Sequence, residues 1–274
     1  MSQNGAQTNG SNPEPPLRLG GMALKNGLLV HGPTSWAAAA RAPEGTIRVA
    51  SGRKPTFPGP ASSMPILRGP LRLAEGFAFI PIARRNLPIA RLPFEDLRVL
   101  AAAIVATAAS AAIRNGKAPL AVREALAAGL GLMPALIALR GSELAAYHGV
   151  EHKSIGGYEQ GVPATDVAKE HERCGSHLVA PMIAFSLAGQ LLVERLVEEP
   201  GRVARGVAAI GGVSAAVELF VWSERHPGHP IARAFQVPGI EIQRLFATKE
   251  PTSEQMEVGT AAMEEILRAE GVKA

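Results

Sequence analysis

The sequence predicts a mainly α protein: a helical membrane bundle of about four apolar helices, with a small strand-rich unit before it and an amphipathic helix after it. Three observations carry this expectation. Four Ala/Gly-rich segments, Leu97–Ile113, Ala125–Leu139, Leu178–Val193 and Gly206–Trp222, hold almost no charge. Apolar residues make up 47% of the 274-residue chain but aromatics only 4%, so the apolar mass is small and aliphatic and lets helices approach closely. The metal-capable side chains, finally, crowd into one polar stretch between Tyr147 and His177.

The elements come in order along the chain. Met1–Pro16 is polar and lacks the apolar core of a secretory signal, so residues 1–18 are expected as a disordered tail. Residues 19–60 are expected to form the small β unit. Its short apolar runs, Gly27–Val30 and Ile47–Val49, are separated by His31-Gly32-Pro33 and Pro43-Glu44-Gly45, which suits two or three strands. Gly52–Pro60 is a Pro/Gly linker. Residues 61–230 form the expected helical membrane core, with a polar site loop at 140–177. It opens on an amphipathic stretch through Leu67, Leu71, Ala74 and Ala78, after which Pro81, Pro88 and Pro93 rule out one long helix. The four apolar segments are uncharged for only about 12 to 16 residues each, short of the roughly 20 that cross a bilayer core. A soluble bundle would also tolerate such lengths. The repetition of four weakly amphipathic segments, with little polar face to turn to water, favours the bilayer. Residues 231–274 are soluble in character. Thr252 and Gln255 form a capping box, and Met256, Met263, Ile266 and Leu267 line one face of a charged helix.

Charge narrows the partners. The net charge is +4, and the basic residues are scattered rather than clustered with aromatics, so a nucleic-acid reader is not expected. An anionic membrane surface suits the same charges, and the lipid bilayer is the expected partner. Lys25, Arg41, Arg48, Arg53, Lys54, Arg68, Arg72, Arg84 and Arg85 lie on the side of the first segment that holds the polar stretch. The positive-inside rule then puts both termini and the site in the cytoplasm, although the opposite loops carry Arg114, Lys117, Arg195, Arg202 and Arg205. Cys174 is the only cysteine, which excludes an internal disulfide.

The chemistry lies in two blocks. His148-Gly149-Val150-Glu151-His152 has the form H-x-x-E-H, used by one class of zinc peptidases. On a helix, imidazoles at i and i+4 share a face and can grip one ion, with the Glu carboxylate beside them to take a proton from water. About twenty residues on comes His171-Glu172-Arg173-Cys174-Gly175-Ser176-His177. Thr165-Asp166 reads as a helix start, so His171 and Cys174, at i and i+3, would share a face. A reversal at Gly156–Pro163 would bring this second helix antiparallel to the first. The expected ligands are therefore His148, His152 and His171 or Cys174, zinc is the expected divalent metal, and Glu151 is the general base. His177 is not expected among them.

These blocks carry a resemblance. Gly149-Val150-Glu151-His152-Lys153, Tyr158-Glu159 and His171-Glu172-Arg173-Cys174-Gly175 resemble the signature blocks of the YqhQ-like bacterial membrane proteins. That family is a domain of unknown function whose members are often labelled predicted metal-dependent enzymes. Further matches are Gly20-Gly21 through Gly32-Pro33, Leu67-Arg68-Gly69, Pro238-Gly239, Gln243-Arg244-Leu245, Thr248-Lys249-Glu250-Pro251 and Glu257-Val258. The resemblance implies a multi-pass membrane protein with its polar blocks gathered at one site. Asn26 stands where a Glu is expected and His31 where an Arg is expected, so both bear on activity if they belong to that site.

Other residues weigh less. Glu218 lies inside the last apolar segment, where an ionisable group is costly and is either functional or paired. His226 and His229 are each followed by a proline and read as turn residues. There is no phosphate-binding Gly-Lys-Ser/Thr loop and no serine nucleophile elbow. The sequence therefore supports a metal-dependent centre on a membrane scaffold, hydrolytic if catalytic. Its rival is a non-catalytic transporter or assembly factor whose polar loop is a gate or binding surface. The substrate and the oligomeric state are not legible.

Overall fold

The computed structural model describes residues 16–55, 64, 71, 74–140 and 142–272. The tail at 1–15, most of the linker at 52–60 and Leu67 lie outside the described residues. Pro16–Arg18, expected in the tail, are described: the Leu17 amide donates to the Tyr158 hydroxyl at 3.1 Å, and Arg18 pairs with Glu224 at 3.7 Å.

The N-terminal unit has four strands where two or three are expected. They are β1 (Gly20–Leu24), β2 (Gly27–His31), β3 (Ser35–Arg41) and β4 (Ile47–Arg53), an antiparallel meander in the order β1-β2-β3-β4. The sequence hides β3 because its Trp36-Ala37-Ala38-Ala39-Ala40 run does not alternate. The structure explains the run: both faces of the sheet are covered, so every β3 residue but the last is buried. Leu28, Val30, Ala37 and Ala39 pack on one face against the helices α4 (Glu143–Gln160) and α8 (Ser253–Glu270). Leu24, Leu29, Trp36, Ala38 and Ala40 pack on the other against Phe79, Leu87, Leu92 and the short helix α1 (Ile80–Asn86).

The four apolar segments become helices longer than their uncharged cores: α2 (Leu97–Arg114), α3 (Leu120–Leu139), α5 (Val179–Leu196) and α6 (Arg202–Arg225). At 18 to 24 residues, with charged residues only near the ends and at Glu218, all four are long and apolar enough to cross a membrane. They pack as two antiparallel hairpins, α2/α3 and α5/α6, touching through α3 and α5. Between 6% and 28% of each apolar window is buried, so most of each helix surface faces away from the rest of the chain. Leu97, Ile104, Val105, Val203 and Val207 point outward.

The remaining helices gather at one end of the hairpins. The connection between α3 and α5 is mainly α4, then a coil with 3₁₀ turns at Ala164–Asp166 and Gly175–Leu178. After α6 comes α7 (Pro230–Ile242), continued by a π turn at Gln243–Ala247. The expected capping box forms at Thr252 and Gln255, and Met263 and Ile266 of α8 pack against the sheet. Glu270 ties the far end of α8 to the Thr34 and Ser35 amides at 2.9 and 2.7 Å.

Candidate metal centre

Site formation starts with α4. Its glycines let it bury itself. A Cβ on Gly149 would collide with the Lys249 carbonyl oxygen, and one on Gly157 would stand 2.9 Å from the Ala164 backbone. Only without side chains there can other segments close on the helix, so the chain runs helical through Gly156-Gly157. It stops at Gly161, whose φ of +66° is the left-handed cap. The second block is not a helix. Thr165-Asp166 gives a single 3₁₀ turn, and His171 and Cys174 lie in coil closed by a Cys174 N–H···O=C His171 bond of 3.3 Å. An extended approach suffices because side chains of the coil, not a second helical face, are presented to α4.

The coil brings Cys174 to the two histidines one helical turn apart. One donor atom each from His148, His152 and Cys174 lie within 4.8 Å of one another. The rings are held by carbonyls from distant segments. His148 Nδ1–H donates to Ala247 O at 2.8 Å and His152 Nδ1–H to Lys169 O at 2.6 Å. Each Nε2 lone pair is thereby free to face the centre, the tautomer used by metal-bound histidines. His148 Nε2 accepts from the Cys174 thiol at 3.4 Å, whereas His152 Nε2 is buried with no partner among the described residues.

Burial shifts two of the three donors toward their uncharged forms. Burial, with His148 nearby, holds the His152 pKa down to about 2, so its ring is neutral. Burial pushes the Cys174 thiol up, against the lowering influence of its hydrogen bonds from Ser176. Burial also pushes Glu151 up to about 7, against the lowering influence of His148 and the Ala23 amide.

Glu151 stands beside the three donors rather than among them. It lines a pocket of about 470 Å³ with His148, Cys174, Gly20, Gly21 and the end of α3 at Ala135 and Ala138. His171 is brought near but turned away. Its ring stacks on His152 with centroids 5.6 Å apart, while Nε2 faces Glu159 at 3.2 Å and Nδ1 accepts from the Arg173 amide. Glu159 also pairs with Arg173.

Sequence reasoning missed the supporting residues. Gln243 is fully buried and knits the second block: its Oε1 accepts from His171 N at 2.7 Å, and its Nε2 donates to Ser176 Oγ at 2.8 Å. The signal was its place in a matching block, Gln243-Arg244-Leu245. His177, 1% exposed, packs against Gly239 and donates to His171 O at 3.2 Å, so it braces the coil. Asn26 lies outside the pocket: its side chain bonds Arg41 O, Ile89 O and the Arg91 amide. His31 lines the pocket. Glu218 is half-buried in α6, and His226 and His229 sit in an exposed turn against Trp222.

Residues 142–269, from the first residue before α4 to the last turn of α8, match the model of a family described as "Protein of unknown function (DUF1385)". A 137-residue stretch is 33% identical to "Uncharacterized protein YqhQ" of Bacillus subtilis (strain 168), covering 46% of this chain and 41% of that protein. No solved structure matches. The half of the chain that carries all three donors is thus similar to YqhQ-like proteins of unknown function.

Proposed function

We propose that this chain is a membrane-embedded, metal-dependent enzyme of hydrolytic class, with zinc held by His148, His152 and Cys174 and with Glu151 as general base. One observation carries the reading: three donor atoms converge within 4.8 Å while both imidazoles are locked, by Nδ1–H bonds to carbonyls, with Nε2 turned inward. An N₂S set of three protein donors with one side open to a pocket is the pattern of a catalytic rather than a structural zinc site. Zinc there would supply Lewis acidity and bring the pKa of a coordinating water to about 7. Glu151, at the pocket wall beside the three donors, is placed to take a proton from that water and return it to a leaving group. His171 acts through others: it supports the His152 ring and anchors the coil through Glu159.

Membrane embedding is supported by the four long apolar helices and their outward-facing Leu, Ile and Val side chains. The end of the hairpins bearing the site also carries Lys25, Arg41, Arg48, Arg53 and Lys54, which favours the cytoplasm for it. At the opposite end several arginines are neutralised: Arg114 by Glu124 at 3.1 Å, and Arg123 and Arg205 by Glu194 at 3.8 Å. A second reading, transport, draws on a cavity of about 580 Å³ between α2, α3 and α5 with Thr107, Ser110 and Ser186 in its wall.

Metal analysis of protein purified in detergent tests the proposal. One equivalent of zinc is expected, lost in His148→Ala, His152→Ala and Cys174→Ala and kept in His171→Ala. A folded, metal-free wild type overturns it and leaves the transport reading. The membrane claim expects resistance to alkaline carbonate extraction, and recovery of monodisperse protein without detergent would sink it.

A further inference from the structure

β1 is an edge strand, and its free edge faces the pocket of the metal centre. The β1–β2 turn determines which main-chain groups are free. Leu24 pairs with Gly27 across the two residues Lys25 and Asn26, and the closing pair of such a hairpin exchanges both of its hydrogen bonds. Alternation then turns Leu24, Met22 and Gly20 toward β2 and turns Ala23, Gly21 and Leu19 outward. Two outward groups confirm the direction: the Ala23 amide bonds the Glu151 carboxylate, and Leu19 O accepts from Arg173 Nη2 at 3.3 Å. Between them, the Gly21 N–H and C=O have no partner outside the sheet among the described residues.

The wall they form is bare main chain. A Cβ on Gly21 would stand 2.7 Å from Glu151 Cγ, and one on Gly20 would stand 2.7 Å from His31 Nε2. Across the pocket lie Ala135, Ala138 and Leu139, an apolar wall at the end of α3. The slot therefore offers a strand edge on one side, an apolar surface on the other, and His148, Cys174 and Glu151 between them. An unpaired N–H and C=O on one extended residue are complemented by the main chain of another extended polypeptide, which presents the same two groups at the same spacing.

We propose that the substrate is a polypeptide whose membrane-proximal segment binds extended along β1, paired through Gly21. This rests on the metal-enzyme reading and gives it a substrate class. Hydrolysis would then consume one water: its oxygen bonds to the peptide carbonyl carbon, the C–N bond breaks, and the proton taken by Glu151 passes to the departing amine.

The test uses the zinc-loaded full chain in detergent and three probes: acetohydroxamate, the tripeptide hydroxamate acetyl-Ala-Leu-Ala-NHOH, and that tripeptide with its main-chain amides N-methylated. The tripeptide is expected to bind more tightly than acetohydroxamate and to slow amide hydrogen exchange at residues 20–24. N-methylation is expected to weaken it by about tenfold or more, the effect of a main-chain hydrogen bond left unmade. Equal binding of the two tripeptides, unchanged exchange in β1, or failure of the tripeptide to bind protein shown to hold zinc overturns the peptide proposal while the metal centre stands. Protein that takes up no zinc overturns both.

Discussion

Replacing His152 by leucine distinguishes a metal ligand from a packing residue, because the two roles affect stability under different conditions. The side chain is 2% exposed, so leucine fills comparable buried space. Without metal, two effects oppose each other. Losing the 2.6 Å bond leaves the Lys169 carbonyl unpaired, at about 1–3 kcal/mol, while removing a buried Nε2 that has no partner returns about 1–3 kcal/mol. The metal-free variant should therefore unfold within about 1 kcal/mol of the wild type. With free zinc at roughly a hundred times its Kd, the wild type gains about 2.7 kcal/mol. At about 2–4 °C per kcal/mol for a chain near this size, that is a rise in Tm of about 5–10 °C. The variant, left with two donors, should show little or none. Thermal unfolding in detergent, with chelator and with zinc, gives both numbers. An equal zinc-induced rise in wild type and variant would refute the ligand assignment. A metal-free variant several kcal/mol less stable would show that His152 is there for the bond to Lys169.

Glu151→Gln should keep its zinc and lose hydrolytic activity by about 10²–10⁴-fold, the usual worth of a general base; loss of the zinc itself would make Glu151 a ligand. His31 gives a pH dependence: burial, aided by Lys54, lowers its pKa from 6.5 to about 4, so the folded chain stays neutral there where the unfolded chain is protonated. Stability present in full above pH 6.5 should fall by up to about 3 kcal/mol as pH drops to 4, and His31→Gln should shift the acid-unfolding midpoint, followed by circular dichroism, to lower pH. An unchanged midpoint would mean that other groups set the acid limit. Gly149→Ala forces a methyl against the Lys249 carbonyl, so it should cost about 1–3 kcal/mol in thermal unfolding. It should also weaken zinc binding by about tenfold or more, since Ala247 O, which orients His148, sits two residues before Lys249. Unaltered zinc affinity in that variant would show that the carbonyl does not orient the ring.

Much of the architecture was legible because it rests on short-range signals. The four apolar segments, the Thr252–Gln255 cap and the His148/His152 spacing depend on residues at most a few turns apart. The illegible part depends on approach over long distances. β3 lacks alternation because α4 and α8 on one side and α1 on the other bury both its faces. Gly149, Gly156 and Gly157 look like helix breakers until the segments that press on them are known. Cys174 and His171 were equal candidates in sequence. The fold gathers Cys174 with His148 and His152 and leaves the His171 nitrogens on Glu159 and the Arg173 amide, and nothing in the local spacing encodes that.

The closing of the sheet by α8 sets an order of events during synthesis. The carboxylate of Glu270 caps Thr34 and Ser35 from 236 and 235 residues away, and Val258, Ala262 and Ile266 complete the face that Leu28 and Val30 present. At about 5–20 residues per second, the ribosome needs roughly 10–50 s to cover that distance. Over that interval both apolar hairpins emerge, while the strands wait with one face only partly covered. His148 likewise waits for Ala247 to orient its ring. All three donors are therefore synthesised by residue 174, yet the His148 ring is oriented only once the chain has grown past residue 247.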